Sequence, residues 1–486
     1  MPNFAANGCA GVFEVLDDLQ GNVLRAYRDH AHTHYLFATI SDPERSRNWL
    51  ARHVRSAGEA GDAPHNIHTT APITTRWIWR KYEPELTLNI AFTFRGLVRL
   101  GVAEEAFAGL DAFRQGMAER AAALGDVDRS APEHWEEGLE ENDVLMVLTA
   151  DDPARLADGP RLAVEAGLAV IGGPHEGSRP ADHREHFGFD DGFSQPAIAG
   201  VDSRANAVGE GTMTAAKVWR TIALGEFVLG YPDEGGGLPQ APASPLGVDS
   251  TFMVVRKLAQ DVAGFRSYTR QVAHDLGVKT MYVRAKMVGR WPNGSSTERH
   301  PHEEGPPATG RRANRFGYGE DPDGSRCPLG AHVRRGNPRD SALWQGRPTL
   351  RHRIIRRGVP YGEPLAEEGE DGTEQDADAE GTAAREYENG EYKRGLMFVC
   401  YQADIERQFE FIQSRWLGDG NSLGVGTDRD PLLSPGLRDR DSGRMIIPDT
   451  PPLFLEELRS FVTTRGGGYY LLPGAHGLRA LSRMRA

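Results

Sequence analysis

Cysteine is scarce in this 486-residue chain: Cys9, Cys327 and Cys400 stand far apart and form no CxxC pair. That excludes a disulfide scaffold and a cysteine-built zinc site, and it suits a reducing compartment. Long apolar runs are missing too, since no stretch reaches the roughly 18 to 20 uninterrupted apolar residues of a membrane span. The opening MPNFAANGCAGVFEVLDDLQ has neither a basic segment followed by an apolar one nor a twin arginine, so no membrane partner and a cytoplasmic location are expected. Neither a GxxxxGKS/T loop nor a GxGxxG after a strand occurs, which removes support for nucleotide chemistry. Basic excess is absent as well. The net charge is -13, and nine acids between residues 363 and 380 leave about -4 for everything else. A nucleic-acid surface needs the opposite sign, so that partner class is set aside.

At 39% hydrophobic and 26% charged, the chain can bury a sizeable core, and its length suits two to four domain-sized units. Strand patterns fall at 34–40, 86–94 and 143–150, with helices expected at 43–59 and from Asp152-Pro153 to Ala166, and a short strand at 168–173. In the second strand Leu86, Leu88, Ile90, Phe92 and Phe94 share one face against Thr87, Asn89 and Thr93. The order β-α-β-β-α-β is the split βαβ, ferredoxin-like unit. The second half repeats it loosely: strands at 251–258, 396–403 and 468–473, helices at 259–276 and 404–416. Ile405, Phe409, Ile412 and Trp416 make a core-facing stripe at helical spacing. The expected fold is therefore α+β, with two ferredoxin-like halves and antiparallel sheets. The first half, residues 1–215, carries GFDDG; the second, 216–486, carries an acidic insertion at 363–394 that reads as a solvated loop.

Chemistry concentrates in two places. Between 326 and 358 nine arginines meet one acid, Asp340, and arginine forks suit carboxylates or phosphates. The plain alternative is a basic surface balancing the acidic insertion. Within that stretch His332 sits in CPLGAHVRRGNPR, 327–339. A lone histidine is more often a satisfied core or surface residue than a ligand, yet neutral imidazole commonly holds heme iron axially, and heme propionates are anions an arginine cluster would meet. The second place is FGFDDGFSQPAIAG, 187–200, where Gly188 and Gly192 allow tight turning around Asp190 and Asp191. A simple Asp-Gly turn is the competing explanation.

Together these segments resemble the dye-decolorizing peroxidases. GFDDG at 188–192 matches that family's GxxDG motif, CPLGAHVRRGNPR its proximal-histidine segment, and IIRRGVPYG at 354–362 its distal-arginine segment. Flanking matches run from DLQGNVLRAY, 18–27, to FVTTRGGGYYLLP, 461–473, so the resemblance spans nearly the whole chain. The long insertion after Gly362 points to the larger branch of the family.

The resemblance implies one heme b per chain, bound between the sheet and helices of the second half, with hydrogen peroxide and dyes, phenols or other one-electron donors as partners. It makes His332 the iron ligand, Asp191 the distal acid/base and Arg356 the distal arginine, with Arg353 as rival to Arg356 and Asp190 as the weaker choice beside Asp191. It further implies Asp404 as the carboxylate behind His332, although Asp404 is also an ideal N-cap for the following helix. Leu396 and Phe398 are expected to line the distal pocket, Arg339 or Arg334 to meet propionates, and Trp344, Tyr401 or Trp416 to relay electrons. His30, His32 and His34 form a weaker candidate metal cluster, and His300, His302, Glu303 and Glu304 read as solvated. The runner-up function is a heme-binding or iron-releasing, deferrochelatase-like protein with little turnover; a nonheme interaction protein is third. Self-association is left open.

Overall fold

Strands and helices alternate from His32 onward in the order the hydrophobic pattern anticipates. The computed structural model describes residues 18–485 apart from 25, 28, 55–84, 193, 202–206, 215, 217, 309–312, 342–347, 366–386, 389–390 and 439. Most of the acidic insertion and Trp344 lie outside the described residues.

In the first half, β1 is His32–Ile40, β2 Leu86–Phe92, β3 Val144–Ala150, β4 Leu168–Val170 and β5 His175–Ser178. In the second, β6 is Thr251–Gln260, β7 Ile355–Arg356, β8 Val359–Tyr361, β9 Gly395–Gln402 and β10 Val462–Leu472. All ten join one sheet, running β8-β9-β6-β10-β2-β3-β1-β4, with β5 on β1 and β7 on β9. Each half therefore shows the same internal order: fourth, first, third and second strand. That is the ferredoxin-like arrangement expected, here fused into one sheet through the antiparallel pairing of Leu471 with Phe92.

Fusion explains why β2 is buried on both faces rather than alternating. Leu86, Leu88, Ile90 and Phe92 pack with α1 (Pro43–His53), where Trp49 and Leu50 are buried. The opposite face turns to a shared interior where Tyr35, Phe37 and Leu145 of one half meet Met253, Val255 and Met397 of the other. Polar side chains on that face make short bonds: Asn89 Oδ1 accepts the Asn22 main-chain N–H at 2.8 Å, and the Thr87 and Thr149 hydroxyls lie 2.6 Å apart. Phe94 begins a short helix instead of ending the strand, because the Thr93 hydroxyl caps it by accepting the Gly96 N–H.

The helices follow their signals. Asp42 caps α1, and Pro43 occupies its first turn. α2 is shorter than expected, Gly159–Glu165, after a separate 3-10 turn at Pro153–Leu156. α3, Val262–Leu276, starts at the Asp261 cap and stops at Gly277, whose φ of 65° is left-handed. The expected helix at 404–416 forms as two π-helical segments, Ile405–Glu410 and Ile412–Leu417. All four members of its predicted stripe are buried. Among the described residues no helix is long and apolar enough to cross a membrane.

Leu148 of β3 is fully buried in the core beneath α1 and α2. Leu148→Ala should lower the free energy of unfolding by about 2 to 5 kcal/mol, read from the denaturant midpoint at unchanged slope.

Candidate active site

One cavity of about 320 Å³ collects most of the residues singled out from the sequence. Its wall combines β6 and β9 with the π-helical segments and the His332 helix of the second half, and the 185–194 loop of the first. The cavity thus lies against the sheet and helices of the second half, with the 125–130 segment and the 185–194 loop of the first half completing it.

His332 opens the short helix His332–Gly336. Its Nδ1 lies 2.9 Å from Oδ2 of Asp430, a carboxylate with no exposed surface, while 32% of the imidazole side chain is open to the cavity. Nδ1–H donating to a carboxylate fixes the tautomer and leaves Nε2 as a lone-pair donor facing the cavity. Burial pulls the imidazole down, but the charge and hydrogen bond of Asp430 outweigh it, so His332 rests above the ordinary histidine range. Asp430 is itself anchored, accepting the N–H of Leu432 at 3.0 Å and of Leu433 at 2.9 Å.

Asp404 does not back His332. It caps the Ile405–Glu410 segment, accepting the Arg407 N–H at 2.9 Å and Arg407 Nε at 3.2 Å. The capping explanation was the correct one, and the backing carboxylate comes from 98 residues beyond His332, where sequence offers only an Asp-Pro turn.

Asp191 and Arg356 meet as the motif implies: Nη1 of Arg356 is 3.6 Å from Oδ1 of Asp191, with 39% and 37% of their side chains open to the cavity. Gly188 and Gly192 have φ of 94° and 89°, the left-handed turns their glycines permit. Gln195 then bolts the loop to β7, donating Nε2 to the Arg356 carbonyl at 2.9 Å and accepting the Arg356 N–H at 3.2 Å. Arg353, the rival, also lines the cavity, but its guanidinium goes to the carbonyls of Gly211 at 3.0 Å and Glu210 at 3.2 Å. Asp190 lines the wall too, with its N–H tied to the Pro292 carbonyl at 3.0 Å.

Leu396 and Phe398 line the cavity from β9, as expected. So does Arg339, which has a φ of 51° and donates to Asn314 O at 3.0 Å and Phe316 O at 2.6 Å. Arg334 does not. It is buried against Asp321, donating Nη1 to Oδ2 at 2.8 Å and Nη2 to the main-chain carbonyl at 2.6 Å. Arg290 and Glu185 are wall residues that motif reasoning missed. Burial pulls Arg290 down to about 10 and Arg353 to about 9, each helped by the charge of Arg339, yet both stay protonated near neutrality. Burial pushes Glu185 up to about 6 against the hydrogen bonds from Phe187, Gln260 and Phe189.

Away from the cavity, His30 pairs with the Thr149 hydroxyl and His32 with that of Ser178, while His34 lies 3.6 Å from Glu176. No group of three or more potential metal ligands occurs among the described residues.

A two-part antiparallel sheet carries a carboxylate-backed imidazole, a carboxylate–guanidinium pair and buried arginines around one cavity, an α+β protein with a built polar pocket. Residues 18–160 match the family model of the DyP dimeric alpha+beta barrel domain, and 318–424 that of the Dyp-type peroxidase C-terminal region. The chain belongs to the dye-decolorizing peroxidase family. It is 28% identical to the multifunctional dye peroxidase DyP2 of an Amycolatopsis strain over 96% of each chain. A solved ancestral D-type dye decolorizing peroxidase superposes with a TM-score of 0.77 at 26% identity, covering 96% of this chain and 98% of that one. A dye-decolorizing peroxidase solved in complex with 2,6-dimethoxyphenol gives 0.74 at 24% identity, covering 96% and 99%. A deferrochelatase of Yersinia pestis matches at 29% identity over only 21% of this chain and 17% of its own.

Replacing Asp430 by Asn removes the charge behind His332 and should weaken heme affinity by about 10 to 100-fold. Asp404→Asn should leave that affinity unchanged, and a heme titration of both variants checks the reassignment.

Proposed function

We propose that this chain is a heme peroxidase that reduces hydrogen peroxide and oxidises phenols, dyes and similar one-electron donors, holding one heme b per chain. The pairing of Asp191 with Arg356 in the same cavity as the Asp430-backed His332 carries this reading. The residues present fit the cofactor. His332 would hold the iron through Nε2, and Leu396, Phe398, Val288 and Leu432 would supply an apolar wall for the macrocycle. Arg339 is the propionate partner; Arg353 and Arg290 add positive charge nearby. Heme, when bound, supplies an iron centre that takes two oxidising equivalents from peroxide and passes them on singly.

Asp191 moves the proton. Its carboxylate faces the cavity and can take a proton from one peroxide oxygen and return it to the other, so that the departing oxygen leaves as water. Arg356 holds negative charge on peroxide oxygen through a guanidinium that never gives up its own proton. The 3.6 Å between them is ion-pair rather than hydrogen-bond distance, so the Asp191 carboxylate is not bonded to the guanidinium. Asp430 keeps His332 in one tautomer and strengthens it as a donor.

Electrons from bulky donors must cross protein, and Trp416 is the better supported relay. It packs edge-on against His352 at 5.3 Å, and His352 lines the cavity. Tyr401 faces the shared interior core instead.

Peroxide-dependent bleaching of an anthraquinone dye by the heme-loaded protein tests the function. His332→Ala should lose most heme, and a normal Soret band with full activity in that variant would remove the ligand assignment. Asp191→Asn should keep heme and react with peroxide about 10² to 10⁴-fold more slowly. Arg356→Leu should cost about 2.7 to 4 kcal/mol in the same rate. Arg356→Lys recovers part of it, and Arg353→Leu is milder; a larger defect at Arg353 would transfer the role.

A further inference from the structure

Glu185 lines the cavity with Asp191 and has no part in the chemistry above. Its side chain works on the backbone. Oε2 accepts the Phe187 N–H at 2.9 Å, and Oε1 accepts the Phe189 N–H at 3.1 Å. Gln260, the last residue of β6, donates Nε2 to Oε2 at 2.8 Å. The main chain of Glu185 closes the same turn, giving its N–H to the Phe189 carbonyl at 3.0 Å and taking the Gly188 N–H at 2.8 Å. One residue thus grips the turn by side chain and backbone, and Phe189 ends that turn two residues before Asp191.

The chemistry of the grip requires a carboxylate. Three N–H donors converge on two oxygens, and only an acceptor-only group satisfies all three. An amide offers a single oxygen and turns its own NH₂ toward one of those donors. The rings of Phe187 and Phe189 are buried, and Phe187 packs 4.7 Å from Phe265, so apolar packing anchors the turn as well.

Asp191 needs such an anchor. Among the described residues its carboxylate has no ion-pair partner other than Arg356, at 3.6 Å, and more than a third of it is open to the cavity. A side chain so lightly held takes its position from its backbone. That backbone is held by its own N–H on the His183 carbonyl at 3.0 Å and the Asp190 N–H on the Pro292 carbonyl at 3.0 Å, with the Glu185 turn before it and Gln195 after it.

We propose that Glu185 is a positioning residue for the peroxidase reaction: tethered to the sheet by Gln260, its carboxylate holds the 185–189 turn so that Asp191 stays beside Arg356. The proposal rests on the reading of Asp191 as the proton carrier. Misplacing a reacting group by about 1 Å can cost on the order of 10²-fold.

The test is a double-mutant cycle on the heme-loaded protein, reading the second-order rate of hydrogen peroxide reaction by stopped flow. Glu185→Gln should keep the Soret band and the KM for dye, and slow the peroxide reaction by about 10 to 10²-fold. In the Asp191→Asn background the same change should have little further effect, because the group it positions is already disabled. An equal slowing in both backgrounds overturns the proposal, since Glu185 would then act independently of Asp191; so does an unchanged rate in the wild-type background. If Glu185→Gln does not fold, Gln260→Met removes the tether alone and should show a smaller slowing with the same dependence on Asp191, an unchanged rate again overturning the idea. A wild-type protein that binds heme yet ignores peroxide overturns the peroxidase reading itself, whereas additive slowing overturns only the role of Glu185.

Discussion

Arginines buried around one cavity, with guanidinium groups bonded to neutral oxygens, set the terms for the rest of the site. Arg339 and Arg353 are almost wholly buried, and their N–H groups go to neutral carbonyl and amide oxygens. Holding such groups ionised in a dry interior is costly unless an anion completes the pairing. Burial and mutual repulsion accordingly depress Arg290 and Arg353. In the proposed reading a dianionic cofactor would answer that constraint, and the imidazole of His332, backed by Asp430, would supply the ligand for its metal.

The fold brings these parts together by fusing two copies of one topology. A single seam, Leu471 against Phe92, makes one sheet of two, and the shared interior buries the face that each half would otherwise expose to water. The loop carrying Asp191 belongs to the first half, and Gln195 and Gln260 join it to strands β7 and β6 of the second by hydrogen bonds to Arg356 and Glu185. Strand β7 thus fixes Arg356, and the loop bolted to it fixes how far Asp191 stands from the guanidinium.

Much of this was legible in the chain. Strand positions and the 405–416 stripe depend on local periodicity, and both survived folding, the stripe even through a change to π-helical turns. Asp191, Arg356 and His332 were legible because turn chemistry and motif order mark them. What failed was long-range. Asp404 and Asp430 are equally plausible aspartates in sequence, and only packing brings the second to His332. Arg334 sits two residues from His332 but points into Asp321, because adjacent positions on a helix face different ways. The double burial of β2 was hidden for the same reason, since nothing local signals the other half of the sheet.

The most direct measurement is optical: titrate the protein with heme, record the Soret region, then mix the ferric form with hydrogen peroxide in a stopped flow. The account predicts saturation at one heme per chain, a high-spin ferric spectrum with one axial histidine, and rapid second-order reaction with peroxide. A protein that takes up no heme, or takes it up as a low-spin form inert to peroxide, would contradict it.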